Sequence, residues 1–292
     1  MSINNQRYLD WIIDCNQYNL ADFLPFIVEE KIIGYVHHDN LAILHNYNEY
    51  LNIDDQKLVF VEAINTSTKR SEAMRAIVDD MYQQGTLKTL VGEDYDVMLR
   101  FGDPILFKME RAATSFFGIH KYGIHVNGYV IKDEKYFVWV ATRAKDKPMW
   151  PGKYDHIVAG GHGTGMSVEE TMKKECQEEA NISPQLLANA KAVGTVSYIV
   201  EKKKKLSRDA LFIYDILLPE TFTPVNTDGE VDSFELLAIE DVLNLVNNTD
   251  KYKLNCNLVV IDFAIRHGFI KPDEPLYLQL TEGLNVDTNP LI

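Results

Sequence analysis

Glu175, Glu178 and Glu179 stand three and four residues apart near the end of the segment 160–182, GGHGTGMSVEETMKKECQEEANI. On a helix they share roughly a third of the circumference, beside an apolar stripe of Val168, Met172 and Cys176. Like charges so placed repel by about 0.2–0.5 kcal/mol per pair. The C-terminal half of a helix disfavours each negative group by about 0.3–1 kcal/mol more. A hard divalent cation with oxygen ligands reverses both penalties; a solvated acidic face is the alternative.

The helix is predicted from its ends. Ser167 and Glu170 have capping-box spacing, so the helix starts near Val168, and Asn181 stands where a left-handed cap closes it. Gly160, Gly161, Gly163 and Gly165 form a turn after the apolar run Ile157-Val158-Ala159. Such a turn lets backbone amides approach a ligand closely. Strand, glycine loop, capped helix and acidic arc together outline a metal–diphosphate site.

Here the chain resembles the Nudix hydrolases. Their pattern is G, five residues, E, seven residues, R-E-U-x-E-E-x-G-U, with U a bulky apolar residue. Gly160 matches the first glycine, and Lys174-Glu175-Cys176-Gln177-Glu178-Glu179 matches the core with lysine for arginine. Asn181 replaces the last glycine, and Met166 stands where the first glutamate belongs. In the family that glutamate braces the arginine, so the two departures read as one coupled change. Segments 110–130, 139–143, 151–155, 159–161, 228–234 and 260–268 are similar to the thiamine-pyrophosphokinase-related Nudix subgroup, which carries an extra N-terminal domain. The resemblance implies hydrolysis of a diphosphate linkage, in thiamine diphosphate or its oxidised analogues, with Mg²⁺ or Mn²⁺ on Glu175, Glu178 and Glu179. A nucleoside diphosphate derivative is the alternative substrate, and a noncatalytic Nudix-like binding module the alternative class.

Composition sets bounds. The 292 residues are 46% hydrophobic and 25% charged, enough for two globular domains. A net charge of −14 disfavours nonspecific binding to nucleic acid or anionic membrane. No apolar run approaches the length of a membrane span, the opening residues lack a secretory core, and the three cysteines are scattered. A cytoplasmic enzyme acting on a small molecule is therefore expected.

The expected fold is α/β (α+β): a small N-terminal α/β domain over 1–112, a Nudix α/β/α sandwich with a mixed sheet over 113–250, and a C-terminal helix and tail over 251–292. Helices are predicted at 5–19, 69–84, 239–246 and 257–267, besides the acidic one. Strands are predicted at 41–44, 58–63, 95–101, 124–131, 136–142, 157–159, 193–200, 211–218 and 234–238. The basic run 202–205 reads as a hairpin tip.

Further candidates surround the acidic helix. Glu230, in a glycine-marked loop, is a candidate general base beside Glu178 and Glu179; Asp232 shares that loop. Arg143, Lys145, Lys147 and Lys153 are candidate phosphate-gripping cations, or solvated loop residues. Gly160, Gly161 and His162 line the expected phosphate loop. Trp150, Tyr154 and His156 are candidates for contacting a ring, with Trp150 alternatively a loop anchor. His120 and His125 read as structural histidines, and Trp139 as core.

Overall fold

A computed structural model describes residues 5–289. The first half contains α1 (Asn5–Cys15), β1 (Phe23–Val28), β2 (Lys31–His37), α2 (Leu41–Leu44), β3 (Leu51–Ile53), β4 (Leu58–Phe60), α3 (Ser67–Gln83), β5 (Asp94–Val97) and β6 (Phe107–Glu110). The second holds β7 (His120–Lys132), β8 (Lys135–Arg143), β9 (Tyr154–His156), β10 (Val158–Gly161), α4 (Val168–Ala180), α5 (Pro184–Leu187), β11 (Lys191–Lys202), β12 (Lys205–Leu217), β13 (Val231–Ala238), α6 (Ile239–Asn248), α7 (Cys256–Arg266) and α8 (Tyr277–Gly283).

In the first half, a sheet of order β2-β1-β4-β3 and the β5-β6 ribbon close a core with α3, in which Phe26, Met74, Ile77, Met81, Phe107 and Phe117 are fully buried. The run 41–44, expected as a strand, is the helix α2, with only Leu44 fully inside. Four apolar residues carry no period that separates the two structures.

The second half is a mixed sheet, β11-β12-β7-β8-β13, in which β12 and β7 run parallel and the remaining pairs of this path antiparallel; β10 pairs with β7, and β9 with β8. Alternation sorts its side chains onto two faces. Ile124, Val126 and Trp139 pack with Met172 and Cys176 of α4; Val138, Val140 and Ile213 pack with Trp11, Val242 and Leu258 of α1, α6 and α7. The chain's first helix therefore lies on the sheet of its second half, where the Trp11 indole donates to the carbonyl of Val246 at 2.8 Å.

A buried arginine joins the two halves further. Arg208 of β12 donates through Nη1 to the carbonyls of Ile33 and Gly118 at 3.2 and 3.1 Å. The tip of the β11-β12 hairpin is Lys203-Lys204, both at positive φ, as the basic run suggested.

Candidate metal and active site

Helix α4 forms as its ends dictate. The Ser167 hydroxyl accepts from the Glu170 amide at 3.2 Å, the Glu170 carboxylate accepts from the Ser167 amide at 2.7 Å, and Asn181 is left-handed at φ 50°, ψ 40°. Beyond it, the Thr227 amide and hydroxyl both donate to the carbonyl of Glu178, at 3.1 and 2.6 Å. The loop that carries Glu230 is thereby clasped to the helix's last turn.

The three glutamates sit in graded environments. Glu179 is only 5% exposed, and its Oε2 accepts from the Ala159 amide of β10 at 2.9 Å. Glu175 lies against Gly160, where a Cβ would overlap its Cγ and Cδ; any larger residue at 160 would displace the carboxylate. Glu178 is 46% exposed. Burial raises the Glu179 carboxyl well above its ordinary pKa against the opposing bond from Ala159, with the charges of Asp155, Glu175 and Glu230 adding to the rise. Burial also raises Glu175, which the ammonium of Lys174 partly offsets.

That ammonium tests the site for a cation. Lys174 Nζ lies 3.1 Å from Glu175 and 2.9 Å from Glu178, so two of the carboxylates already converge on one positive charge supplied by the chain. Burial works against the charge on Lys174, but its bonds to Glu178 and Glu175 outweigh this and raise its pKa. An all-oxygen donor set whose carboxylates crowd together suits a hard divalent ion. Because the ammonium competes for the same oxygens, Lys174→Met is expected to tighten Mg²⁺ binding several-fold, measured by titration calorimetry. Unchanged or weaker binding would show that the lysine is no competitor.

The chain's similarities agree with this site. Residues 7–121 match the model of a domain of unknown function, DUF4743, and residues 121–258 match the NUDIX domain. Nudix hydrolase 24, chloroplastic, of Arabidopsis thaliana is 40% identical over 281 residues, covering 95% of this chain and 77% of the relative. Nudix hydrolase 20, chloroplastic, of the same plant is 37% identical, with the same coverage of each chain. The chain belongs to the Nudix hydrolase family. The crystal structure of DR0079 from Deinococcus radiodurans aligns with 57% of this chain and 97% of its own, at 18% identity and a TM-score of 0.45. As a Nudix-type pyrophosphohydrolase the protein is an enzyme, and its mixed α/β architecture is the one its sequence implied.

The other candidates are distributed unevenly around the Nudix helix. Glu230 pairs with Lys147 at 2.5 Å, and its charge reaches Glu179. Arg143 is bound to Asp155 at 3.0 Å and to the Met149 carbonyl, and Lys153 to Asp250 at 3.3 Å; both cations are engaged with protein groups. The His162 imidazole pairs with the Thr171 hydroxyl at 2.9 Å. Trp150 takes the Lys202 ammonium over its ring at 4.8 Å, the contact of a loop anchor. Tyr154 donates to Glu235 at 3.1 Å, and His156 is 3% exposed, so neither stands as a free ring contact. His120 is satisfied by Tyr122 and Thr288.

A second polar cluster lies in the interior. His125, Asp155, His156 and Cys256 bring potential ligand atoms within 4.8 Å of one another. Asp155, however, already has Arg143 at 3.0 Å and Lys253 at 3.3 Å, and the Cys256 thiol donates to it at 2.9 Å. A metal ion there would face two resident cations, so the cluster is an internal ion-pair network.

Reading the sequence did not single out the N-terminal side chains beside the Nudix loop. Asp94 O accepts from the Thr164 amide at 3.0 Å, and Asp96 accepts from the Thr164 hydroxyl at 2.6 Å. Tyr95 and Arg111 lie over Gly161, and Glu93 lies over Gly163. No spacing motif marks them, because they reach the loop only through the packing of the two halves.

Proposed function

We propose that the protein is a Mg²⁺-dependent pyrophosphohydrolase of thiamine-type diphosphates, releasing the monophosphate and phosphate. The observation that carries the hydrolase reading is the convergence of Glu175 and Glu178 on a single cation beside Glu179, with Gly160 giving the room. A divalent ion held there supplies charge that neutralises the diphosphate and its developing negative charge. The chain's own groups do the rest. Glu179, fixed by the Ala159 amide and raised by burial, or Glu230, held by Lys147 in the loop clasped to α4, takes the proton from water.

The thiamine reading is supported by the resemblance over 110–130, 151–161 and 228–234. An aromatic group beside the loop is consistent with a heteroaromatic ring. Phe101 is 44% exposed, with its ring 4.8 Å from Tyr122, 4.9 Å from Phe212 and 5.7 Å from His162. A partly open aromatic face suits offset stacking, worth about 0.5–1.5 kcal/mol beyond area.

The test is chromatographic separation of the phosphorylated products formed from thiamine diphosphate, its oxo form, a nucleotide sugar, a dinucleotide and nucleoside triphosphates, each with and without Mg²⁺. The oxo form is expected to have the highest kcat/KM and the triphosphates to be poor substrates. Preference for a nucleotide sugar or dinucleotide over every thiamine derivative would overturn the substrate while leaving the hydrolase. No turnover of any of them with Mg²⁺ would overturn both.

A further inference from the structure

A bound diphosphate brings several negative charges to a site that is itself strongly acidic, and one divalent ion leaves part of that charge unmatched. A positive side chain that approaches the same oxygens would offset it through charge-assisted hydrogen bonds. Arg143 and Lys153 are tied to Asp155 and Asp250, Lys174 is bonded to Glu175 and Glu178, Lys147 is held by Glu230, and Lys145 is an exposed loop side chain that no protein group among the described residues orients. Arg111, just after β6 in the N-terminal half, is placed differently.

Its guanidinium carbon lies 3.0 Å from where a Cβ on Gly161 would sit, so the planar group rests on the glycine loop itself. The side chain is 42% exposed, and among the described residues its only hydrogen bond is to Glu93, Nη1 to Oε2 at 3.0 Å. A guanidinium has five N–H donors in a rigid fork, so its bond to Glu93 leaves donors that no protein group among the described residues uses. Glu93 is fixed in turn. Its carbonyl accepts from the Arg111 amide at 2.8 Å, and its Oε1 is 2.6 Å from where a Cβ on Gly163 would stand. The Tyr95 ring lies under the guanidinium at 5.7 Å, with its hydroxyl in the space that a Cβ on Gly161 would take. The Thr164 amide and hydroxyl pin the loop to β5. These glycines thus have a second use: they let side chains from the other half of the chain reach the loop's backbone.

We propose that Arg111, presented by the N-terminal half and aimed by Glu93, is a substrate-binding residue that grips the phosphoryl oxygens of a diphosphate lying on the glycine loop. The N-terminal domain is then one wall of the active site, and the Nudix domain alone is an incomplete one. This rests on the diphosphate reading above but not on the identity of the ring.

The experiment uses the full chain with methylenediphosphonate, a diphosphate that cannot be hydrolysed, as probe in the presence of Mg²⁺. Its affinity is measured by calorimetry in the wild type, Arg111→Gln and Arg111→Lys, beside Mg²⁺ affinity, melting temperature and, for the best substrate of the panel, KM and kcat. Arg111→Gln is expected to weaken the probe and raise KM about ten- to a hundredfold, the size of one charge-assisted bond, with kcat changed less than about threefold. Arg111→Lys should recover part of the loss, since it keeps the charge and loses the fork. Melting temperature and Mg²⁺ affinity should stay near wild type.

Wild-type probe affinity in Arg111→Gln overturns the proposal. So does a loss that follows Mg²⁺ affinity or melting temperature downward in both variants, which is the mark of a structural role. If the wild type hydrolyses nothing in the panel yet binds the probe through Arg111, the hydrolase reading fails and this one stands.

Discussion

Glu179→Gln and Glu178→Gln are each expected to lower turnover by at least about a hundredfold while the protein stays folded, since on the proposed function each removes one charge from the carboxylates that would hold the cation opposite the transition state. The two variants separate in stability. Glu179 is buried, and burial disfavours its ionised form. The glutamine keeps an oxygen for the Ala159 amide and discards the buried charge, so without metal Glu179→Gln should melt higher than the wild type near neutral pH. Glu178 is half exposed and bonded to Lys174. Exposed ion pairs contribute about 0–1 kcal/mol, so Glu178→Gln should melt close to the wild type. A stabilised but inactive Glu179→Gln is the pattern of a residue kept for chemistry at a cost in stability. Near wild-type turnover in either folded variant would remove the carboxylates from the mechanism.

What could be read from the sequence was what is encoded locally. Helix α4 is fixed by Ser167, Glu170 and Asn181, each acting within one turn of its own position. The long strands β7, β8, β11 and β12 announce themselves by alternation around buried Ile124, Val126, Val138, Val140 and Ile213. The hairpin β1-β2 carries no local signature, because Pro25 interrupts its first strand and its turn is Glu29-Glu30, both at positive φ without a glycine. Its parallel pairing with β4 covers only Phe26 and Ile27, downstream of the proline. The clustering of the three candidate glutamates was legible for the same reason as α4, since one helix carries all three. Arg111, Tyr95 and Glu93 were not, because what places them at Gly161 and Gly163 is the docking of one half of the chain on the other. The cations favoured from sequence, Arg143 and Lys153, lie close to the box in the chain, but nearness in sequence did not reveal their partners Asp155 and Asp250.

Stability should fall steeply as pH drops below about 6.5, because three histidines are folded into the interior in their neutral form. Burial lowers His120 from its ordinary value of 6.5 to about 3 and His156 to about 4, and puts His125 well below its usual range. Between those values and 6.5 the unfolded chain binds protons that the folded one refuses. The histidine contribution is therefore fully present above about pH 6.5 and is lost as pH falls. Each refused proton steepens the dependence by up to about 1.4 kcal/mol per pH unit. Glu175 and Glu179 act in the opposite sense: their carboxyls are raised, so from 4.5 upward the folded state holds protons that the unfolded state releases, offsetting part of the histidine slope. Urea unfolding in the absence of metal at several pH values between 7 and 5 should show the net decline. Glu179→Gln should steepen it, and His120→Asn, which removes a titrating ring held by Tyr122 and Thr288, should flatten it by up to about one proton. A slope unchanged in His120→Asn would mean that His120 protonates in the folded protein as freely as in the unfolded chain, and that its buried neutral form does not govern acid sensitivity.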